Sequence, residues 1–317
     1  MQDEDNIIVI RPAEREGARL IFCFSGTSGS GKTRTALEFA YGLTNYDPGK
    51  IGFLDTENRR GSLYADVLKA HKTRPTNTPF LIADLDAPFS PDRYKRAVLA
   101  FQRAGVEVLI VDSYSHMWEG IGGCSDIAAK HKSVQGWKIA KDAHKDFINA
   151  ILSVDMHIIL CIRAREQIDA TDPRNIKSLG VQPICEKNLM FEMTASMMMD
   201  NEGKHQDVIK CPGELQPFLG RGQGYITSED GAAVRAWVDG GKPIDPATER
   251  AFNTLRSVAE GGMRAYRAEW NRTPESARKA LEADGRHETL KAQAAAFDRQ
   301  RERVSSDADG LNEQRVE

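Results

Sequence analysis

The 317-residue sequence lacks the features that mark secreted, membrane-spanning and zinc-stabilised proteins. Its five cysteines are odd in number and form no CxxC pair, which argues against a disulfide framework and favours a reducing compartment. No apolar run is long enough to cross a bilayer, and the first residues are acidic where a signal peptide would be basic. We therefore expect a cytoplasmic location and no membrane partner.

A large excess of one charge is also missing from the sequence. Lysine and arginine number 43 against 46 aspartates and glutamates, so the formal net charge is -3. Binding to nucleic acid would have to use local basic patches, because no overall positive field attracts a polyanion. The seven histidines form no HExxH motif or Cys/His cluster, so a dedicated histidine or thiolate metal site is not expected.

Short apolar runs alternate with amphipathic segments over the first half of the chain. Strands are predicted at Leu20–Ser25, Ile51–Asp55, Phe80–Leu85, Val106–Asp112 and Met156–Arg163, with a further short strand at residues 7–10. Helices are predicted between them at Lys32–Thr44, Gly61–His71, Pro91–Ala104 and Gln135–Val154. This alternation predicts an α/β fold with a mostly parallel sheet covered on both faces.

The pattern changes further along the chain. Phe191–Met199 and Val208–Cys211 have no long helix between them, which predicts an antiparallel extension of the sheet. Two long segments, Ser113–Val134 and Ala164–Lys187, interrupt the strand–helix alternation, and loops of that length are usually functional or disordered.

Prolines near residue 243 mark a linker, and charged sequence with apolar residues at helical spacing follows it. We predict a small helical module there, with its aromatic residues forming its own core. The expected domains are an α/β domain at residues 1–242, the helical module at 246–304 and a disordered tail at 305–317.

The most specific motif is GxxxxGK[ST], which has an apolar strand before it and a helix after it. Glycines let the backbone wrap phosphates, the lysine supplies a cation to the β- and γ-phosphates, and the last hydroxyl binds magnesium. The motif therefore predicts binding of ATP with Mg²⁺. Its nucleotide-binding residues are Gly26, Thr27, Ser28, Gly29, Ser30, Gly31, Lys32 and Thr33.

Two acidic residues at strand ends complete the expected site. Asp112 ends the buried strand Val106–Asp112 and is predicted to hold magnesium together with Thr33. Glu57 follows the strand Ile51–Asp55, at the sheet edge where ligands bind in α/β proteins. We predict that Glu57 orients and deprotonates the attacking water, although it could instead cap a helix or pair with a neighbouring arginine.

These motifs, in this order, resemble the RecA family between about residues 20 and 218. That family carries its catalytic glutamate in a strand similar to Phe53-Leu54-Asp55-Thr56-Glu57, and its magnesium aspartate in one similar to Ile110–Ser113. The resemblance implies a RecA-like P-loop ATPase core with a mostly parallel sheet, an antiparallel extension and, here, a small C-terminal helical module. It also implies a catalytic sensor residue at Arg163, where RecA itself has an amide. In this respect the chain is more similar to the phage-encoded RecA-like ATPases of single-strand annealing recombination, which implies a phage protein in a bacterial cytoplasm.

The resemblance further implies self-association. RecA sends lysines to the nucleotide of the neighbouring subunit from a strand similar to Val208-Ile209-Lys210, but Pro212 stands where the second lysine would be. Lys210 and Arg221 are therefore the candidates for a residue acting on a neighbouring subunit. RecA's large N-terminal domain has no counterpart, so its mode of polymerisation cannot be transferred.

In the RecA family the loops after the magnesium strand and the sensor strand contact single-stranded DNA. The corresponding basic residues here are Lys130, Lys132, Lys138, Arg165, Arg174 and Lys177. Lysines contact phosphates without regard to base, which suits sequence-independent binding of single strands. The alternative is an ordinary solvated helix face followed by a loop of nearly balanced charge.

Three functions are compatible with the sequence. The first is an ATP-hydrolysing protein that acts on single-stranded DNA in recombination or annealing. The second is a P-loop kinase of small molecules, although a kinase has no need of a residue that activates water. The third is a nucleotide-switched scaffold or loader that recruits protein partners through the C-terminal helices.

Overall fold

The computed structural model describes residues 18–130, 134–169, 177–240, 246–283 and 285–313 of the chain. These residues belong to two compact units, Ala18–Val238 and the described residues from Asp239 onward. The strand predicted at residues 7–10 lies outside the described residues. None of the described helices is long and apolar enough to cross a bilayer.

The first unit alternates strands and helices along the chain. Its strands are β1 (Ile21–Gly26), β2 (Ile51–Asp55), β3 (Leu81–Asp84), β4 (Val108–Asp112), β5 (His157–Asp169), β6 (Lys177–Pro183), β7 (Ala195–Asp200) and β8 (His205–Lys210). Its helices are α1 (Lys32–Leu43), α2 (Pro91–Arg103), α3 (Ser115–Glu119), α4 (Cys124–Lys130), α5 (Val134–Ser153), α6 (Leu189–Glu192), α7 (Gln216–Leu219) and α8 (Ser228–Asp239).

The strands form a sheet in the order β3-β2-β4-β5-β1-β7-β8, with β6 paired to β5 beyond the main sheet. Neighbouring strands from β3 to β7 run parallel, whereas β8 is antiparallel to β7 and β6 is antiparallel to β5. The predicted fold class is confirmed: an α/β fold with a mostly parallel sheet, an antiparallel extension and C-terminal helices. Only β5 separates the phosphate-loop strand β1 from the Asp112 strand β4, so the ends of these strands meet at one edge.

Both faces of the sheet are covered by apolar side chains. Along β4, Ile110 faces the core that contains α1, while Leu109 and Val111 face the core that contains residues of α2 and α5. This period-two alternation of burial on both faces is why the strand is continuously apolar in sequence. The core on the α1 side includes Phe22 and Phe39, whose rings pack edge to face with centroids 5.0 Å apart.

Three local predictions are wrong. The predicted helix Gly61–His71 is a short 3₁₀ helix at Arg60–Tyr64 followed by turns. The predicted loop Ser113–Val134 contains the helices α3 and α4. The predicted loop Ala164–Lys187 contains the end of β5 and the antiparallel strand β6, which pair from Ala164 opposite Pro183 to Asp169 opposite Lys177.

The second unit is helical. Its helices are α9 (Pro246–Ala259), α10 (Met263–Arg272), α11 (Glu275–Ala283) and α12 (Arg286–Glu313). Its buried cluster contains Leu255, Tyr266, Leu281 and Leu290, with Trp270 packed against it. The backbone of α12 continues to Glu313, where the sequence predicts a disordered tail from residue 305.

Candidate active site

The phosphate loop connects β1 to α1 at the carboxyl edge of the sheet. Gly29 and Gly31 have φ angles of 78° and 91°, a left-handed backbone that glycine adopts without strain. A Cβ at Gly31 would lie 2.6 Å from the backbone carbon of Glu202, so the turn after β7 packs directly against the loop. The loop therefore needs glycine at position 31 for both conformation and space.

Lys32 is buried at the first position of α1. Its Nζ donates hydrogen bonds to the carbonyl oxygens of Gly26 at 2.9 Å and Thr27 at 2.7 Å. Burial lowers the pKa of Lys32, while the carboxylates of Asp112 and Glu57 act in the opposite direction. The ammonium group thus lies inside the loop that the sequence predicts to bind phosphate.

Thr33 and Asp112 meet at the base of the loop. The Thr33 hydroxyl donates a hydrogen bond of 2.6 Å to Oδ2 of Asp112. Burial raises the pKa of Asp112 to about 6, and the Thr33 hydrogen bond opposes that rise. These two oxygen donors fit a magnesium ion, which prefers oxygen ligands. Phosphate and water oxygens would complete its coordination shell. Among the described residues no group of three or more His, Cys, Asp and Glu side chains forms a separate metal site.

Glu57 lies beside Arg163 at the end of β5. The Arg163 Nε donates a 2.8 Å hydrogen bond to Oε1 of Glu57, whose side chain is only 19% exposed. Burial raises the pKa of Glu57, but the hydrogen bond and positive charge of Arg163 outweigh it and the pKa is lowered overall. The alternative ion pairs of Glu57 with Arg59 or Arg60 are weaker than its pair with Arg163. Arg60 lies 3.9 Å from Glu57, and Arg59 pairs with Asp84 instead. Glu57 is therefore ionised and aimed into the site.

One cavity of about 440 Å³ joins these groups. The described residues that line it are Ser28, Gly29, Lys32, Thr33, Phe53, Asp55, Glu57, Arg60, Gly61, Tyr64, Asp112, Arg163, Ala164 and Ile184. The structure therefore brings together the lysine, the magnesium pair, the glutamate and the sensor arginine that the sequence predicts.

Two supporting residues escaped the sequence interpretation. Asp55 accepts 2.6 Å hydrogen bonds from the backbone N–H groups of Glu57 and Gly61, so it braces the turn that carries the glutamate. Nδ1 of His116 lies 2.7 Å from the hydroxyl of Thr56, the residue that stands between Asp55 and Glu57 in the sequence. Only the acidic strand end hinted at Asp55, and no sequence signal links His116 to a residue 60 positions away.

The candidates for action on a neighbouring subunit lie outside the cavity. Lys210 is exposed at the end of β8 and donates to the carbonyl of Phe191 at 2.8 Å. Arg221 is bound by both carboxylate oxygens of Asp230 and by the carbonyls of Pro217 and Tyr225. A role of Arg221 toward another subunit stays a prediction, and it would require these bonds to break.

The candidate DNA-binding residues are exposed wherever they are described. Lys130 ends α4, Lys138 lies on α5, and Arg165 and Lys177 lie on the β5–β6 hairpin. Arg165 forms an ion pair of 3.0 Å with Glu119. Lys132 and Arg174 lie outside the described residues.

Trp118 and Trp137 pack together with ring centroids 6.0 Å apart, and Trp118 also contacts His144. Trp137 is 45% exposed, so one face of this pair is accessible. The sequence favours packing over base stacking for each ring, and the structure places both in a packed cluster.

The sheet, the glycine loop with Lys32 inside it and the hydrogen-bonded pair Thr33 and Asp112 define a P-loop nucleotide-binding protein of the α/β class. Comparison with protein families assigns it further. Residues 18–201 match the model of the AAA domain family AAA_24, and the chain belongs to that family. Membership implies a P-loop ATPase, and it extends over most of the first unit.

Other comparisons add little to this assignment. A KaiC-like protein from the hyperthermophilic archaeon Pyrococcus horikoshii is 16% identical, and the match covers 62% of this chain and 81% of that protein with a TM-score of 0.37. No curated protein matches the sequence.

Proposed function

We propose that the chain is an ATP-hydrolysing RecA-like protein that acts on single-stranded DNA in recombination or annealing. The observation that supports this most is that strand β5 carries both a residue of the cavity and an exposed arginine. Arg163 on this strand lines the cavity and contacts Glu57, while Arg165, two residues further, is exposed on the β5–β6 hairpin. One strand therefore connects the phosphate side of the site with an exposed hairpin that carries Arg165 and Lys177.

The hydrolysis step follows from the positions of the side chains. The loop amides and Lys32 bind the phosphates, and Thr33 with Asp112 supplies the oxygens that hold Mg²⁺. A magnesium ion held by Thr33 and Asp112 would supply charge neutralisation to the phosphate oxygens. Glu57 is ionised and lines the same cavity, so its carboxylate orients the attacking water and accepts its proton. Arg163 stabilises negative charge on the transferred group when it turns from Glu57 to the phosphate.

The β5–β6 hairpin is the proposed DNA contact. Arg165 and Lys177 supply positive charge, and Ile168 and Leu179 are 59% and 51% exposed on the same hairpin. Exposed apolar side chains beside cations suit binding of single-stranded DNA. The DNA phosphates contact the cations, and the unpaired bases pack on the apolar side chains. Lys130 and Lys138, exposed on α4 and α5, are further proposed phosphate contacts.

Measuring ATPase rate against concentration of single-stranded DNA tests the proposal. We expect DNA to raise the rate, DNA binding to weaken with salt, and Arg165→Ala to reduce the salt slope by about 1. Arg96→Ala is the matched control, because Arg96 forms a similar exposed ion pair with Asp92 on α2. If single-stranded DNA neither raises the ATPase rate nor binds in a salt-sensitive way, the proposed action on DNA is wrong.

The same assays separate the alternatives. Transfer of phosphate to a nucleoside or sugar with negligible release of phosphate would favour a kinase. A biological role that survives loss of hydrolysis in Glu57→Gln would favour a nucleotide-switched scaffold that recruits protein partners through the C-terminal helices.

Self-association on DNA and ATP is part of the proposal, as is an origin in a phage acting in the bacterial cytoplasm. Electron microscopy of the full chain with ATP and single-stranded DNA tests the assembly. Filaments or rings that need both ligands would support it, and monomers under the same conditions would oppose it.

A further inference from the structure

The hydroxyl of Thr56 is the centre of a buried hydrogen-bond network. It accepts from the backbone N–H of Ser113 at 2.9 Å and lies 3.2 Å from the carbonyl of the same residue. It also lies 2.7 Å from Nδ1 of His116. A hydroxyl with one donor and two acceptor positions can serve all three partners.

This network holds the peptide immediately before Glu57. The Thr56 N–H donates to the carbonyl of Asp112 at 2.8 Å, so the backbone and the side chain of Thr56 bind the two residues at the end of β4. The N–H of Glu57 is bound by Asp55. The backbone that leads into Glu57's Cα is thereby fixed relative to Asp112.

His116 is itself held by Phe89. It lies in α3, and its ring stacks on Phe89 with centroids 4.9 Å apart and an interplanar angle of 27°. The same helix is tied to β5, because the Ser115 hydroxyl accepts a 2.9 Å hydrogen bond from the N–H of Arg163. His116 thus joins the glutamate turn to a helix that also contacts the sensor arginine.

We propose that His116 is a positioning residue for hydrolysis: by holding the Thr56 hydroxyl it fixes Glu57 at the place from which its carboxylate meets the attacking water. His116 does not contact the nucleotide in this scheme and acts only through Thr56. The inference rests on the proposed ATP hydrolysis and is independent of the DNA partner.

Four substitutions isolate the hydrogen bond from packing. His116→Phe keeps a ring for Phe89 but has no group that can bind the hydroxyl, whereas His116→Asn keeps a hydrogen-bonding group and loses the stacking. Thr56→Val keeps the shape and removes the hydroxyl, and Thr56→Ser restores it. We expect His116→Phe and Thr56→Val each to lower kcat about 10- to 100-fold with KM and ADP affinity little changed, because small displacements of a catalytic group have effects of this size.

The double variant decides whether the two residues act as one unit. His116→Phe with Thr56→Val should be no slower than the slower of the two single variants, and His116→Asn and Thr56→Ser should recover most of the rate. Adding His116→Phe to Glu57→Gln should leave the residual rate unchanged, since the glutamate that His116 positions is gone. A merely structural role would instead lower ADP affinity and thermal stability together and would add to the Glu57→Gln defect.

The failure of this inference is distinguishable from the failure of the proposed function. If the wild type hydrolyses ATP and Glu57→Gln abolishes it, but His116→Phe keeps the wild-type kcat, only the role of His116 is wrong. Additive rate losses in the double variant would also overturn it. If the wild type hydrolyses no ATP with or without single-stranded DNA, both proposals fall.

Discussion

His157 at the start of β5 is a fully buried histidine whose neutral form the fold requires. Its Nδ1 accepts a 3.1 Å hydrogen bond from the backbone N–H of Leu20, and its Nε2 has no partner among the described residues. Burial lowers the pKa of His157 from 6.5 to about 3, and the charges of Arg19 and Arg235 act in the same direction. Between about pH 6.5 and pH 3, His157 therefore binds a proton in the unfolded chain but stays neutral in the folded chain.

This difference predicts a loss of stability in acid. Below the unfolded pKa the unfolded state binds more protons, so the free energy of unfolding falls as pH drops from 6.5 and levels off only near pH 3. Between about pH 7 and about pH 5 the wild type should lose about 2 kcal/mol more than His157→Asn, whose side-chain oxygen can still accept from Leu20.

Urea unfolding at several pH values measures this effect. His205→Asn, the same substitution at an exposed position, is the control. Parallel pH profiles of the wild type and His157→Asn would contradict the assignment.

The sequence predicts single residues well only where a motif dictates the chemistry. Lys32 and Thr33 follow from the phosphate loop, and Asp112 and Glu57 follow from acidic ends of apolar strands. Asp55 and His116 could not be predicted, because their roles depend on backbone groups that the fold brings close. Whether each residue acts as predicted is a question for the variants proposed above.

At the scale of elements, α1 and α8 pack through two glycines. A Cβ at Gly42 would lie 1.7 Å from the carbonyl oxygen of Ser228, and one at Gly231 would lie 2.1 Å from that of Phe39. Both obstacles are backbone atoms, which cannot rotate away as a side chain can. The helix that carries Lys32 and Thr33 is therefore seated by direct backbone contact.

Gly42→Ala should lower the free energy of unfolding by about 3 kcal/mol, because the added methyl forces the two helices apart. Gly213→Ala is the matched control, since no heavy atom lies within 4 Å of its Cβ position, and it should change stability by less than about 0.5 kcal/mol. Denaturant midpoints of the two variants provide the measurement. Equal midpoints would show that α1 and α8 are not in the contact described.

The elements that the sequence predicts best are those set by burial alone. The strand Ile51–Asp55 is observed at the predicted bounds, and the helix predicted at Pro91–Ala104 ends one residue earlier, at Arg103. In place of the helix predicted from Gly61 the chain forms only the 3₁₀ helix Arg60–Tyr64, in which Asp55 binds the N–H of Gly61. The β5–β6 hairpin could not be predicted from a buried apolar pattern, because β6 is exposed along almost its whole length.

At the scale of the whole molecule, the described residues contain separate cores in each unit. Leu281 is fully buried in the helical unit, in a cluster with Leu255, Tyr266 and Leu290. That cluster consists of residues from the second unit alone. The sequence predicts a module with its own aromatic core in this region, and the structure shows such a cluster there.

Leu281→Ala should destabilise the helical unit by about 2–5 kcal/mol, because it leaves a cavity in a small core. Hydrogen exchange should show loss of amide protection at residues 246–283, with protection of β1 and β4 unchanged. Glu282→Ala, at an exposed neighbouring position, is the control. Equal loss of protection in both units would contradict separate cores.

In the proposed function, Lys32 binds the phosphates, Asp112 binds the metal, and Glu57 deprotonates the attacking water. The most direct test compares Glu57→Gln with the wild type, since the amide keeps the shape of the side chain and removes its basicity. We predict unchanged ATP affinity and a kcat at least about 100-fold lower, measured by equilibrium binding and phosphate release. A Glu57→Gln protein that hydrolyses ATP at the wild-type rate would contradict the account.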